Sequence, residues 1–415
     1  MRWSSKLLSF SLVAACSSEP SSVPPRDDGG RDAASDASAD TASDASEDPA
    51  DASTPSSTDS AGDGACDLPP ASAQGRMFGA DILDVNPGES FEDNLAQLAE
   101  LRGRYLTLHL PWTALETTAG AGTTSGTLVD PGTPSVLATF DALAAQTGSL
   151  VSLTLRPVDA TGKTVPSDLA QLAFDDPKVA ARFQKVVDYV LTRIAPEHLV
   201  NLMIGNEVDG FNPGTEANFW PAYGQFLASV HSYLHAKYPN LPVGFTATLP
   251  ALTDAARKTA DGWPAQQVML TWADQVDVVG VTYYPLEADF TMRDPTQAAV
   301  DLAALTASVP ASKPIHVQEI GYASSTVNDS SDAQQARFFC EVMRAWDAHA
   351  ARIPRLAVLR LNDVSEQKAM ELAGPYGVGT AAFKEYLRTL GLRTADGKTK
   401  PAFRVLRTQT AAREL

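Results

Sequence analysis

The 415-residue sequence lacks the features of several large functional classes. It contains no basic run, and its formal net charge of −18 would repel the phosphates of a nucleic acid. No glycine-rich phosphate-binding turn follows the first candidate strand, which argues against a nucleotide-binding fold. We therefore expect no nucleic-acid partner and no cofactor.

Cysteine is also scarce, with Cys16, Cys66 and Cys340 as the three examples. No two of them have metal-ligand spacing, so the cysteines predict no zinc site, and we expect no metal. If the chain is exported, Cys66 and Cys340 are candidates for a disulfide. Two unpaired thiols are the alternative, because pairing depends on a geometry that the sequence does not contain.

The N-terminus resembles an export signal. Arg2 and Lys6 precede an apolar run at residues 7–15, which is shorter than the ~20 residues needed to cross a bilayer. The run ends in Leu12-Val13-Ala14-Ala15-Cys16, which resembles the bacterial lipobox. That resemblance implies a signal peptide over residues 1–16 and a lipid on Cys16. An ordinary signal peptide cleaved near Ala15 is the alternative.

Residues 17–67 are rich in Ser, Ala, Asp and Pro and have almost no large apolar residue. From residue 17 to residue 66 the chain has 12 acidic and 2 basic residues. Such a segment cannot bury enough apolar surface to offset its ordering entropy, so it predicts a disordered tether with a reach of roughly 40 Å. We expect an exported lipoprotein anchored at the bacterial outer membrane or cell surface by its lipid alone.

From residue 75 onward, apolar runs of strand length alternate with longer helix-patterned segments. Eight candidate strands lie at residues 76–82, 105–112, 150–158, 199–207, 242–249, 276–285, 314–322 and 356–364. Alternation of this kind is typical of βα units around a parallel sheet. The length of this part of the chain and its eight candidate strands predict a (β/α)₈ barrel over residues 75–410. An open doubly wound sheet is the alternative. We expect no second folded domain, and we expect the protein to be a monomer.

Polar residues mark the carboxyl ends of the candidate strands, where a barrel of this kind holds its chemistry. The fourth strand ends in Asn206-Glu207, the sixth in Tyr283-Tyr284, and the seventh contains Glu319. Two carboxyl groups ~5–5.5 Å apart serve a retaining glycoside hydrolase as acid and nucleophile. Burial and the neighbouring charge raise the pKa of the acid, while hydrogen-bond donors keep the nucleophile ionised.

These motifs resemble the clan A glycoside hydrolases. The segments 205–207, 281–285 and 319–322 look closest to the endo-β-1,4-galactanase branch, and residues 391–402 resemble the closing segment of such barrels. The resemblance spans about residues 76–405. It implies a (β/α)₈ barrel that cleaves β-glycosidic bonds in an oligosaccharide or polysaccharide.

The resemblance also implies residue roles. Glu207 would be the general acid and then the base, and Glu319 the nucleophile. Asn206 would bind the sugar 2-hydroxyl. Tyr284 would hold the nucleophile, with Tyr283 as the alternative, since an error of one residue moves a side chain to the other face of a strand.

The eighth strand departs from the clan pattern. It ends in Leu361-Asn362-Asp363 where the clan usually has a tryptophan beneath the sugar. Trp112 is our candidate for a replacement platform. Arg156 binds the substrate or the nucleophile, or it pairs with Asp159.

Two further functions remain open at this point. A barrel with this pattern could bind glycans at the cell surface without cleaving them. It could also be a transglycosylase, which uses the same two carboxyl groups but transfers the sugar to another sugar in place of water.

Overall fold

The computed structural model describes residues 66–83, 86, 89–120, 123–216 and 218–415. The expected signal peptide, the lipidated Cys16 and nearly all of the expected tether lie outside these residues. Within them, no helix is both long enough and apolar enough to cross a membrane.

Eight parallel strands form a closed barrel. They are β1 (Met77–Asp81), β2 (Tyr105–Pro111), β3 (Leu150–Asp159), β4 (Leu199–Asn206), β5 (Val243–Thr248), β6 (Val278–Tyr283), β7 (Ile315–Ile320) and β8 (Arg355–Val358). β1 pairs with both β2 and β8, which closes the sheet. The predicted (β/α)₈ barrel is therefore confirmed, and the open sheet is wrong.

Helices surround the barrel. They are α1 (Phe91–Glu100), α2 (Val136–Thr147), α3 (Pro177–Leu191), α4 (Phe219–Lys237), α5 (Leu249–Thr253), α6 (Ala265–Ala273), α7 (Gln297–Ser308), α8 (Asp332–Ala348), α9 (Glu366–Ala373), α10 (Ala381–Arg388) and α11 (Pro401–Ala412). α3 shows why such segments form: the Asp176 side chain caps it, Pro177 occupies its first turn, and Phe183, Val186 and Val187 are fully buried.

The barrel interior contains a layer of buried polar side chains. The Ser152 hydroxyl on β3 lies 2.6 Å from Gln318 Oε1 on β7, and Asn201 Nδ2 on β4 lies 2.7 Å from His316 Nδ1 on β7. Burial lowers the pKa of His316 to about 3, so its imidazole is neutral. Because these bonds join strands that are not neighbours in the sheet, they cross the interior and fix β3, β4 and β7 relative to one another.

A disulfide joins Cys66, ahead of β1, to Cys340 in α8, with Cα atoms 5.5 Å apart. Gln409 Nε2 in α11 donates to the Cys66 carbonyl at 2.9 Å. Asp347 in α8 meanwhile pairs with Arg76 and Arg413. These contacts hold the start of the described chain against its last helix.

Candidate active site

Glu207 directly follows β4 in an unusual backbone conformation. Its φ of 47° and ψ of 43° lie in the left-handed region, which residues other than glycine seldom adopt. Such strained positions concentrate at functional sites. The Thr282 hydroxyl on β6 donates to Glu207 Oε1 at 2.6 Å, which fixes the carboxyl group at the barrel mouth.

Glu319 reaches the same mouth because β7 contains a bulge. In the pairing of β6 with β7, Val281 is opposite Val317 but Thr282 is opposite Glu319, so Gln318 is an extra residue. Gln318 already points into the barrel, and simple alternation would turn Glu319 outward. The bulge restores its inward direction, which is a known use of bulges beside active sites.

Thr282 brings the two carboxyl groups into one site. Its hydroxyl binds Glu207, and its backbone is in register with Glu319 on the neighbouring strand. Paired strands are only ~4.8 Å apart, so the side chains of Thr282 and Glu319 are adjacent on the inner face. The two glutamates therefore interact directly through their charges.

Burial, followed by the charge of Glu319, raises the pKa of Glu207 to about 8. Burial also raises the pKa of Glu319, but a hydrogen bond from Tyr284 and the positive charges of Arg156 and Arg360 oppose that rise. At Glu207 the largest charge contribution is instead the negative charge of Glu319, which raises the pKa. The proton that the pair retains near neutral pH therefore belongs mainly on Glu207.

The two consecutive tyrosines point in opposite directions. The Tyr284 hydroxyl donates to Glu319 Oε2 at 2.7 Å. The Tyr283 hydroxyl instead donates to Asp301 Oδ2 in α7 at 2.9 Å. Tyr283 is the last residue of β6 and faces the surrounding helices, so the alternative that placed it on Glu319 is wrong.

Arg156 and Asp159 lie beside the glutamates at the end of β3. Arg156 Nη1 is 2.5 Å from Asp159 Oδ2, as one of the sequence interpretations proposed. The positive charge of Arg156 lowers the pKa of Glu319, and the negative charge of Asp159 raises the pKa of both glutamates. The pair thus contributes to the electrostatics of the site.

Asn206 precedes Glu207 and is 7% exposed. Its Oδ1 is buried and has no hydrogen-bond partner among the described residues. An unpaired buried acceptor costs about 1–3 kcal/mol, so a native structure that retains one often uses it for a ligand. A sugar hydroxyl would provide the missing donor.

Trp112 does not reach the site, which corrects its interpretation as a sugar platform. It is fully buried, its indole Nε1 donates to Glu116 Oε2 at 2.8 Å, and its ring packs edge-on against Phe183 in α3 at 5.0 Å. The reason is positional, because the chain turns into a short 3₁₀ helix at Trp112. No ring face is left for a substrate.

His109, near the end of β2, is a further residue beside the glutamates that was not predicted from the sequence. His109 Nδ1 is 3.9 Å from Glu319 Oε1. Burial and then the charge of Arg156 lower the pKa of His109 to about 3, so the imidazole is neutral beside the carboxylate. Its position two residues before the carboxyl end of a barrel strand is the feature of the sequence that could have predicted its place in the site.

Aromatic side chains from the segments after β6 and β8 line one side of the mouth. Tyr386 lies edge-on to Tyr284, with ring centroids 5.8 Å apart. Tyr376 is 46% exposed, yet local desolvation and then the charges of Glu207, Asp159 and Glu319 raise the pKa of its hydroxyl. Tyr376 is therefore an accessible ring close to both glutamates, and it was not predicted from the sequence.

The residues that end the β8 segment form structural contacts. Lys400 Nζ lies 2.7 Å from Asp363 Oδ1, and Asn362 Nδ2 donates to Asn94 Oδ1 at 2.8 Å. Arg360 is closer to the site, since its charge lowers the pKa of Glu319. The missing β8 tryptophan is thus not replaced from the same strand.

Comparison with known proteins gives similarity in structure only. No protein-family model and no curated protein matches the sequence. The fold is similar to a GH5_18 glycoside hydrolase from Bifidobacterium longum subsp. longum ATCC 55813 in complex with Manβ1-4GlcNAc, with a TM-score of 0.58, 17% identity, and coverage of 81% of this chain and 78% of that one.

Two further structures are similar. A GH5_18 protein from Streptomyces cattleya, also in complex with Manβ1-4GlcNAc, has a TM-score of 0.57 and 16% identity and covers 81% of this chain and 80% of its own. The exo-β-1,4-mannosidase Op5Man5 from Opitutaceae bacterium strain TAV5 has a TM-score of 0.53 and 15% identity, covering 81% and 59%. At these identities the likeness establishes the barrel fold. None of the three is described as a galactanase, so the resemblance to that branch gains no support.

Proposed function

We propose that this protein is a retaining β-glycosidase, with Glu207 as acid and base and Glu319 as nucleophile. The observation that carries the proposal is the pair of glutamates at the ends of β4 and β7, joined through Thr282 and held in different environments. A buried carboxyl whose pKa is raised to about 8 is protonated at neutral pH, as a general acid must be.

In the first step, Glu319 attacks the anomeric carbon while Glu207 transfers its proton to the glycosidic oxygen. The carbon–oxygen bond breaks, the alcohol leaves, and a glycosyl ester forms on Glu319. Tyr284 binds Oε2 of Glu319, which leaves Oε1 to attack.

In the second step, the ionised Glu207 takes a proton from water as the water attacks the same carbon. The ester bond breaks, Glu319 leaves as a carboxylate, and the sugar is released with its original anomeric configuration. The buried, unpaired Oδ1 of Asn206 accepts a hydrogen bond from the sugar 2-hydroxyl, a contact that strengthens in the transition state.

For the sugar, we propose a β-linked mannoside rather than a galactan. The support is similarity alone: two related barrels hold Manβ1-4GlcNAc, and a third is an exo-β-1,4-mannosidase. Tyr284 after β6 and Tyr376 after β8 lie close to the glutamates, so we expect these segments to influence which sugar fits.

The test measures sugar release from Manβ1-4GlcNAc, mannan, galactan, xylan and β-glucan, together with aryl β-glycosides. We expect Glu319→Gln to abolish turnover, and Glu207→Ala to retain partial activity on aryl glycosides, whose good leaving groups need little protonation. Glu100→Gln, at the C-terminal end of α1, is the matched control and should behave as wild type. Small, equal losses in both site variants, or binding without release by the wild type, would overturn the proposal.

We further propose that the protein is exported and anchored by a lipid on Cys16, as the lipobox-like sequence and the acidic segment 17–67 suggest. Expression in a Gram-negative host should place the wild type in the membrane fraction, and Cys16→Ala should release it. Equal fractionation of the two proteins would count against the anchor.

A further inference from the structure

Two histidines and an aspartate converge at the end of the barrel opposite the mouth. His231 and His235 are one helical turn apart in α4, and Asp277 directly precedes β6. One ligand atom from each lies within 4.8 Å of the others. The cysteines argued against a zinc site, but they do not bear on this cluster.

His231 and Asp277 are close without forming a hydrogen bond. His231 Nε2 lies 3.1 Å from Asp277 Oδ2, yet this buried nitrogen has no hydrogen-bond partner among the described residues. The two atoms are therefore near each other but poorly aligned for a bond between them. Two ligand atoms of one tetrahedral zinc ion are separated by a similar distance. With metal–ligand distances of ~2.0–2.1 Å, tetrahedral geometry places the two ligand atoms about 3.3 Å apart.

His235 is the third candidate ligand, and its side chain is exposed. Its ring is nearly parallel to that of His231, with an angle of 15° and centroids 5.7 Å apart. Spacing of four residues places both imidazoles on one face of the helix, as in helices that bind zinc through two histidines. Since His235 is exposed, its side chain is free to rotate toward the ion.

Asp277 is fixed before any ion binds. The Val243 amide at the start of β5 donates to Asp277 Oδ2 at 3.0 Å, and the Asp277 amide donates to the Val243 carbonyl at 2.9 Å. Contacts of this kind orient a ligand and improve metal affinity.

We propose that His231, His235 and Asp277 bind a divalent transition metal of the zinc class, with water as the fourth ligand. Imidazole nitrogen with one carboxylate suits zinc, nickel or copper rather than magnesium. The amino ends of the strands serve stability in such barrels, so the ion would brace α4 against β5 and β6 and take no part in catalysis.

The test uses tag-free full-length protein stripped with a chelator. Calorimetric titration with zinc chloride should give one equivalent with a Kd in about the micromolar range. Saturating zinc should raise the Tm by about 3 °C or more, and magnesium chloride should not. Equal effects of the two salts would overturn the proposal.

Variants locate the ion. His235→Ala, at an exposed position, and Asp277→Asn should each weaken zinc binding by more than about 10-fold. His198→Ala is the matched control, because His198 is also partly exposed and lies 2.6 Å from an aspartate, Asp141. Zinc binding that survives both site variants would contradict the assignment. Glycoside turnover should be unchanged in all three, so this test is independent of the proposed function.

Discussion

At the scale of single residues, the two glutamates differ through the hydroxyl groups that contact them and the charges around them. A threonine hydroxyl reaches Glu207, and burial followed by the charge of Glu319 raises the pKa of Glu207. A tyrosine hydroxyl and two arginine charges act on Glu319. This difference in environment is the basis on which we propose one glutamate as the proton donor and the other as the nucleophile.

Tyr284→Phe tests the environment of the nucleophile. The hydrogen bond from Tyr284 lowers the pKa of Glu319, so its loss should move the acidic limb of the kcat/KM profile to higher pH and reduce kcat about 10- to 100-fold. Tyr283→Phe removes a neighbouring hydroxyl that binds Asp301 instead, and it should leave the acidic limb in place. Identical profiles for the two variants would contradict the assignment.

The alkaline limb of the same profile reports the acid. In the proposed mechanism Glu207 must be protonated, so activity should fall as the pH rises through about 8. The Thr282 hydrogen bond lowers the pKa of Glu207, and its removal in Thr282→Val should therefore move this limb to higher pH. A substrate with a poor leaving group makes the limb visible. A shift to lower pH would be inconsistent with this role for Thr282.

At the scale of elements, irregular features position the site. The bulge in β7 turns Glu319 inward, and the left-handed turn after β4 directs Glu207 into the mouth. The long segment after β8 supplies aromatic rings where the strand itself ends in structural contacts. The strands thus position the two glutamates along the chain, and the bulge and the left-handed turn set the direction of their side chains.

Tyr376 is the accessible ring of that segment and is expected to contact the sugar. Tyr376→Ala should raise KM about 3- to 10-fold with little change in kcat, since one aromatic contact contributes ~0.5–1.5 kcal/mol. Tyr376→Phe retains the ring and should behave nearly as wild type. An unchanged KM for Tyr376→Ala would remove Tyr376 from the substrate site.

At the scale of the whole molecule, the disulfide ties the segment before β1 to α8, across 274 residues of sequence. The closed loop contains almost the entire barrel, so the bridge restricts the unfolded chain strongly. Gln409 reinforces the same junction from α11. We therefore expect the disulfide to contribute to the stability of the barrel and to have no part in catalysis.

Replacement of both bridging cysteines, Cys66→Ser with Cys340→Ser, should lower the free energy of unfolding by about 2–4 kcal/mol. Denaturant unfolding measures the change, and kcat should be unaltered. A reductant should destabilise the wild type by a similar amount and leave the double variant unaffected. Equal stability of the oxidised wild type and the double variant would contradict this role.

The sequence by itself determined the barrel and the positions of Glu207 and Glu319 in it. Apolar runs alternating with helical periods specify βα units, and polar residues at the ends of such runs fall at one rim of a parallel barrel. These signals are local in the sequence, so they can be recognised without knowing which distant segments of the chain are in contact.

Only the tertiary structure decided which tyrosine faces Glu319, that Trp112 is buried, and that His231, His235 and Asp277 lie together. Each of these depends on a bulge, a turn or the approach of segments that are distant in sequence. A shift of one residue in register reverses the direction of a side chain, and no local pattern records such a shift.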